Sequence, residues 1–206
     1  MSDCDRLKYD ALTRQLERMR AMQYAYHRKF FTLLLVSSLG AAIALAVPTI
    51  LSQVLACFGL VTTGVTAAFL LHFADFARTH ARALEGRLNR LLEERVLIAA
   101  DLEGEYFYPH GQPRPARFAV EWPSTFFSFY TLHFCGLWTL VILVAGFRLW
   151  NGTSPGLFAG LALLFALWTG ANGIFLIQWF RGAALRRMEE QLRDAYGSGV
   201  AGNPNP

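Results

Sequence analysis

From Phe30 to Ala74 the chain runs 45 positions without an Asp, Glu, Lys or Arg. A single helix of that length would be ~67 Å long, about twice the hydrocarbon thickness of a bilayer, so the run must fold back. Pro48 is the natural break, because it lacks the amide proton that a helix interior needs. The pattern predicts spans at 30–47 and 50–74 joined by a very tight turn. A second uncharged run begins at Trp122-Pro123-Ser124, an interfacial aromatic, a break and an N-cap. It predicts a span at 125–148. Asn151-Gly152-Thr153-Ser154-Pro155 is turn chemistry, and a fourth span follows at 156–180 with Trp150 and Trp179 near its ends.

Outside the spans the periodicity changes. Tyr9, Leu12, Leu16, Met19, Gln23, Tyr26 and Phe30 follow 3-4 spacing, a coiled-coil-like seam leading into the first span. Ala77, Ala81, Leu84, Leu88, Leu91, Arg95, Ile98 and Leu102 repeat it beyond the second, and Leu185, Met188, Leu192 and Ala195 beyond the fourth. The middle seam predicts a helix from Phe76 to Leu102, projecting ~40 Å. The tail helix from Arg181 to Tyr196 reaches only ~24 Å. The far part of the longer helix, Leu91, Arg95, Ile98 and Leu102, is therefore expected to meet another subunit or a partner protein, with Arg95 as the polar seam residue that sets register. Packing of these helices within one chain is the competing expectation. Residues 104–123 alternate prolines and aromatics and read as a linker, or less favourably as an extended docking segment.

Charge sets the orientation. Seven Lys and Arg precede the first span, seven lie between residues 75 and 124, and four follow Phe180, whereas the two turns on the other side hold only Arg148. Positive residues stay in the cytoplasm, so both termini are expected there. The domains expected are a cytoplasmic amphipathic helix (1–29), a transmembrane hairpin (30–74), a cytoplasmic helix with a Pro/aromatic loop (75–124), a second hairpin (125–180), and a helix with a disordered tail (181–206). Mean hydropathy is +0.30 and only 17% of residues are charged, against about 25% in soluble domains. The fold class is all-α, a polytopic membrane protein of four transmembrane helices with helical cytoplasmic extensions.

Candidate chemistry is sparse. Cys4, Cys57 and Cys135 have neither disulfide-framework nor zinc spacing. No phosphate-binding loop, nucleophile elbow or metalloprotease motif is present, so no catalytic residue, metal or cofactor is expected. Basic residues are spread over all the polar segments and give no specific support to nucleic-acid binding. No span carries an ionisable carboxylate, Lys or Arg, which argues against a coupled pump but not against a channel lined by hydroxyls or backbone. Thr66, His133 and Asn172 all fall ~6 Å to the cytoplasmic side of the midplane, where they could form one hydrogen-bonded polar layer. Interhelical packing is the blander role for them. His72 lies ~9 Å from the depth of His133, too far for two axial ligands of one haem. Small residues mark one face of the fourth span, with Gly156 and Gly160 as GxxxG and Ala159, Ala162, Ala166, Gly170 and Gly173 beyond, and Ser37, Ala41 and Ala44 do the same on the first. Such faces are expected to pack helices closely, within the bundle or between subunits.

One arrangement has a familial likeness. A helix ending Ala25-Tyr26-His27-Arg28-Lys29-Phe30 enters a tight hairpin, whose exit continues as Phe76-Ala77-Arg78-Thr79-His80-Ala81-Arg82-Ala83-Leu84. Over residues 5–103 this resembles the SLATT type of small bacterial membrane domains. The resemblance implies a pore-forming role in nucleotide-signalled antiviral defence, without catalysis. The second pair of spans departs from the two-span pattern. The expected function is thus a small oligomeric inner-membrane protein acting as a pore-like or membrane-perturbing effector; the alternative is a membrane anchor or sensor subunit that recruits a cytoplasmic protein.

Overall fold

The computed structural model describes residues 3–99, 102–103, 126–181 and 184–196, with side-chain surroundings for 5–99, 102–103, 135–178, 187–188 and 190–196. The Pro/aromatic segment and the tail after Tyr196 lie outside the described residues. The chain forms α1 (Asp3–Ala46), α2 (Ile50–Leu92), α3 (Phe126–Gly152), α4 (Pro155–Arg181) and α5 (Ala184–Tyr196). Helices α1 to α4 are each long and apolar enough to cross a membrane.

The breaks have local causes. After Ala46, Val47-Pro48 cannot continue the helix, and Thr49 caps the next one: its Oγ1 accepts from the Ser52 amide at 3.2 Å and its carbonyl from the Gln53 amide at 3.1 Å. At the second hairpin the turn shrinks to Thr153-Ser154. Ser154 caps α4, accepting from the Leu157 amide at 3.4 Å, and Pro155 takes the first helical position, where its missing N–H costs nothing.

The residues divide into two units. The first joins residues 1–28, 71–113 and 182–206; the second joins 29–70 and 114–181. In the first, Met19 of α1 packs on Ala81 and Leu84 of α2, with Leu12, Leu16, Met22, Phe76 and Tyr196 around them. Ala77, Ala81 and Leu84 are fully buried, so the small seam residues let α1 approach α2 closely. In the second, Ala41 of α1, Leu60 of α2 and Val141 of α3 form the central contact. Helix α4 meets α2 through Phe165 on Phe58 (centroids 5.6 Å apart) and Phe175 on Phe69 (5.8 Å), and α3 through Phe158 on Trp150 (5.1 Å).

Two expectations change. The helix predicted to reach Leu102 ends at Leu92. Glu93 adopts φ 56°, residues 95–98 are non-helical, and the segment returns along the unit. The side chain of Asn89 fixes this return: Oδ1 accepts from the amides of Val96 (3.1 Å) and Leu97 (2.8 Å), and Nδ2 donates to the Leu97 carbonyl at 2.7 Å. Arg95, Ile98 and Leu102 are therefore not on one helical seam with Leu91. The spacing continued past Leu92, but an asparagine able to replace backbone partners gave the chain a competing path. Second, of the two packings open to the small face of α4, within the bundle or between subunits, the described residues do not make the first. A Cβ placed at Gly156, Gly160, Gly170 or Gly173 would meet no atom within 4 Å, and Ala166 is exposed. The described ring contacts of α4 are made instead by Phe158, Phe165 and Phe175.

The left-handed conformation at Glu93 costs a non-glycine residue ~1–2 kcal/mol. Glu93→Gly should therefore stabilise the protein by about 0.5–1 kcal/mol after glycine's extra chain entropy is subtracted. Thermal melting in mild detergent checks it; a loss of stability would show that the Glu93 side chain contributes more than its backbone costs.

Candidate functional site

The polar node of the first unit is Arg20. Its Nη1 donates to both oxygens of Glu103, at 2.8 and 2.7 Å, and its Nη2 donates to Glu85. Gln23 adds Nε2 to Glu103 Oε2 at 3.1 Å and accepts from Arg20 at 3.3 Å. Glu85 and Gln23 are buried. Burial alone would lower the Arg20 pKa, but the Glu85 and Glu103 carboxylates outweigh it and hold the guanidinium above its ordinary value. His27 senses the same group: burial lowers its pKa, Glu103 opposes this, and Arg78 reinforces it. Glu103 is the far end of the returning segment, so the Asn89 clamp holds residues 96–97 and this ion triad holds Glu103. Between them Val96, Ile98 and Leu102 stay exposed, at 58%, 40% and 55%. Leu91 is half-buried and Arg95 exposed.

In the second unit, α1 and α2 enclose an open groove of about 320 Å³ lined by Ser37, Gly40, Ala44, Ser52, Gly59 and Thr63 among others. Its hydroxyls are internally satisfied: Ser37 donates to the Leu34 carbonyl at 3.0 Å and Thr63 to Gly59 at 2.7 Å. The expected polar layer takes the same form. Thr66 donates to the Thr62 carbonyl at 2.9 Å and Asn172 to the Trp168 carbonyl at 2.8 Å, each one turn back on its own helix. No described bond joins the two residues, and the side chain of His133 lies outside the described residues. At one end of this unit the α1 carbonyls are capped from other helices. Arg148 of α3 donates to Leu45 O at 2.6 Å, and Gln53, 1% exposed, donates to Ala44 O at 2.7 Å and Val47 O at 3.1 Å. Arg148 is the one Lys or Arg at the two turns that join the spans, and the negative end of the α1 dipole holds it.

Sequence reasoning did not single out Arg20, Glu85, Glu103, Asn89 or Gln53. One signal was present: Gln23 sits in an otherwise apolar seam, which asks for a polar partner. Its partner Glu103 is 80 residues away, a pairing no local period reveals. Among the described residues no group of three His, Cys, Asp or Glu is arranged to hold a metal ion; Cys57 is a buried and Cys135 an exposed free thiol. No family model, curated protein or solved structure matches the chain.

Proposed function

We propose that the chain is a bacterial inner-membrane protein with cytoplasmic termini that assembles into a homo-oligomer and acts without catalysis, as a pore-like or membrane-perturbing effector. The observation that carries this reading is the open small-residue face of α4 among the described residues, with Gly156, Gly160, Ala166 and Gly170 exposed and open space for a Cβ at half-buried Gly173. Helices in lipid gain little from burying large apolar side chains, which lipid solvates equally well; they associate where small residues let backbones approach. The described residues of one protomer leave this face unused, and a second copy can use it. The groove between α1 and α2 supports the pore-like part, since Ser37, Ser52 and Thr63 give it hydroxyl-bearing walls without fixed charge. The orientation is supported by the eighteen-to-one distribution of Lys and Arg and by the capping of the exception, Arg148. The place in antiviral defence rests on the SLATT resemblance of residues 5–103.

Light scattering in detergent tests the assembly. Gly170→Leu should dissociate the oligomer while leaving the protomer fold intact, because the new side chain has open space within the chain. Ile174→Leu, a near-isosteric change one turn on, should leave the oligomer unchanged. A monodisperse wild-type monomer would remove this reading in favour of a membrane anchor or sensor subunit. The exposed Val96, Ile98 and Leu102 favour that second reading, as a surface for a cytoplasmic partner protein.

A further inference from the structure

Three helices of the first unit converge on one imidazole. His80 of α2 places Nε2 3.4 Å from Nε2 of Gln15 on α1 and 3.2 Å from the hydroxyl of Tyr196 on α5. Its ring lies against that of Tyr196 (centroids 5.7 Å apart) and edge-on to Phe76 (6.1 Å). Tyr196 closes α5, and Arg90 of α2 donates to its carbonyl. Leu192 of α5 is buried and Met188 half-buried, whereas Glu190, Gln191, Arg193, Asp194 and Ala195 are exposed. A 13-residue helix is marginal on its own in water, so its order depends on its docking.

We propose that His80 is a proton-operated catch for the C-terminal helix: the neutral imidazole holds α5 on the α1–α2 pair, and the imidazolium releases it. A neutral ring with its proton on Nδ1 presents one Nε2 lone pair, which the Gln15 amide and the Tyr196 hydroxyl share as donors. Protonation turns Nε2 into a donor facing the Gln15 amide hydrogens. Rotating that amide restores one hydrogen bond but does not neutralise the charge. The groups facing His80 are the Gln15 amide from α1, the Phe76 ring from α2 and the Tyr196 phenol from α5. The charged group that joins the contact is Arg90, itself a cation. No described bond brings a carboxylate to the ring, and burial holds its pKa below the ordinary histidine value. A folded-state pKa below the unfolded one means that the docking contribution is complete above about pH 6.5 and is lost as pH falls through the folded value.

Hydrogen exchange of the full-length protein in detergent tests this at about pH 7.5 and about pH 5.5, with rates corrected for intrinsic pH dependence. Amides of residues 184–196 should lose roughly tenfold protection at the lower pH, while α2 around Leu84 keeps its protection. His80→Gln should abolish the pH dependence of α5, and Tyr196→Phe should weaken docking at both pH values. The release midpoint should coincide with the titration of His80 followed by its ring proton shift, which decides the matter even where a substitution disturbs the fold. Unchanged protection of α5 in the wild type would overturn the proposal. So would a parallel loss in His80→Gln, which would point to His27, or a midpoint separate from the His80 titration.

Discussion

Arg20→Ala should destabilise the first unit by about 3–5 kcal/mol, the cost of breaking a buried ion pair by removing one partner. Arg20 and Glu85 side chains are 15% and 7% exposed, and Glu103 is 20% exposed, so solvent screening is weak. Without the guanidinium, Glu85 remains buried with a charge that water cannot reach. Glu103, further out, can swing toward solvent and release its end of the returning segment. At ~2–4 °C per kcal/mol for a chain of this size, melting should fall by roughly 10 °C. Arg20→Met combined with Glu85→Leu should recover much of the loss, since it removes both buried charges and keeps the volume. Circular dichroism melts in mild detergent make the comparison. A drop under about 1 kcal/mol would place the triad with ordinary surface pairs, and equal damage in single and double variants would mean that packing around Arg20 matters more than its charge.

Leu84→Ala should cost about 2–5 kcal/mol, the range for emptying a fully packed leucine site. Leu84 has no exposed surface and sits where Met19, Ala81 and the Tyr196 end of α5 meet. Its neighbours include Met19, Leu12, Leu16 and Met22, flexible side chains that can shift part-way into the gap, so the middle of the range is expected. Leu35→Ala is the control. Leu35 is 70% exposed on a helix apolar enough to span a membrane, and truncating it leaves no internal cavity. Similar losses in the two variants would mean that the α1–α2 seam is not the centre of the first unit.

Much of this architecture was legible because its causes are local. The uncharged run from Phe30 to Ala74 exceeds any single span, and Pro48 supplies the break, so the hairpin follows from length and a missing amide proton. Asn151 to Pro155 announced the second turn by the same logic, and the structure narrows it to Thr153-Ser154. The 3-4 seam from Tyr9 to Phe30 predicted a helix running into the first span, and α1 is one helix of 44 residues.

What sequence could not decide were the pairings between distant residues. Periodicity carried the second helix on to Leu102, because nothing local contradicts it; Asn89 and the Arg20–Glu103 pair turn the chain at Leu92. The small residues of α4 were readable as a packing face, but only the tertiary structure puts its aromatics against α2 and α3 and leaves the glycines open. Arg148 read as an isolated exception to the charge asymmetry until the end of α1 was found beside it. Spans, turns and seams depend on neighbours within a few residues, where composition and period are strong constraints. Caps, ion triads and the choice of which helix face is buried depend on contacts between residues up to 116 positions apart, as at His80 and Tyr196, and those are set by the competition among all the helices for the same surfaces.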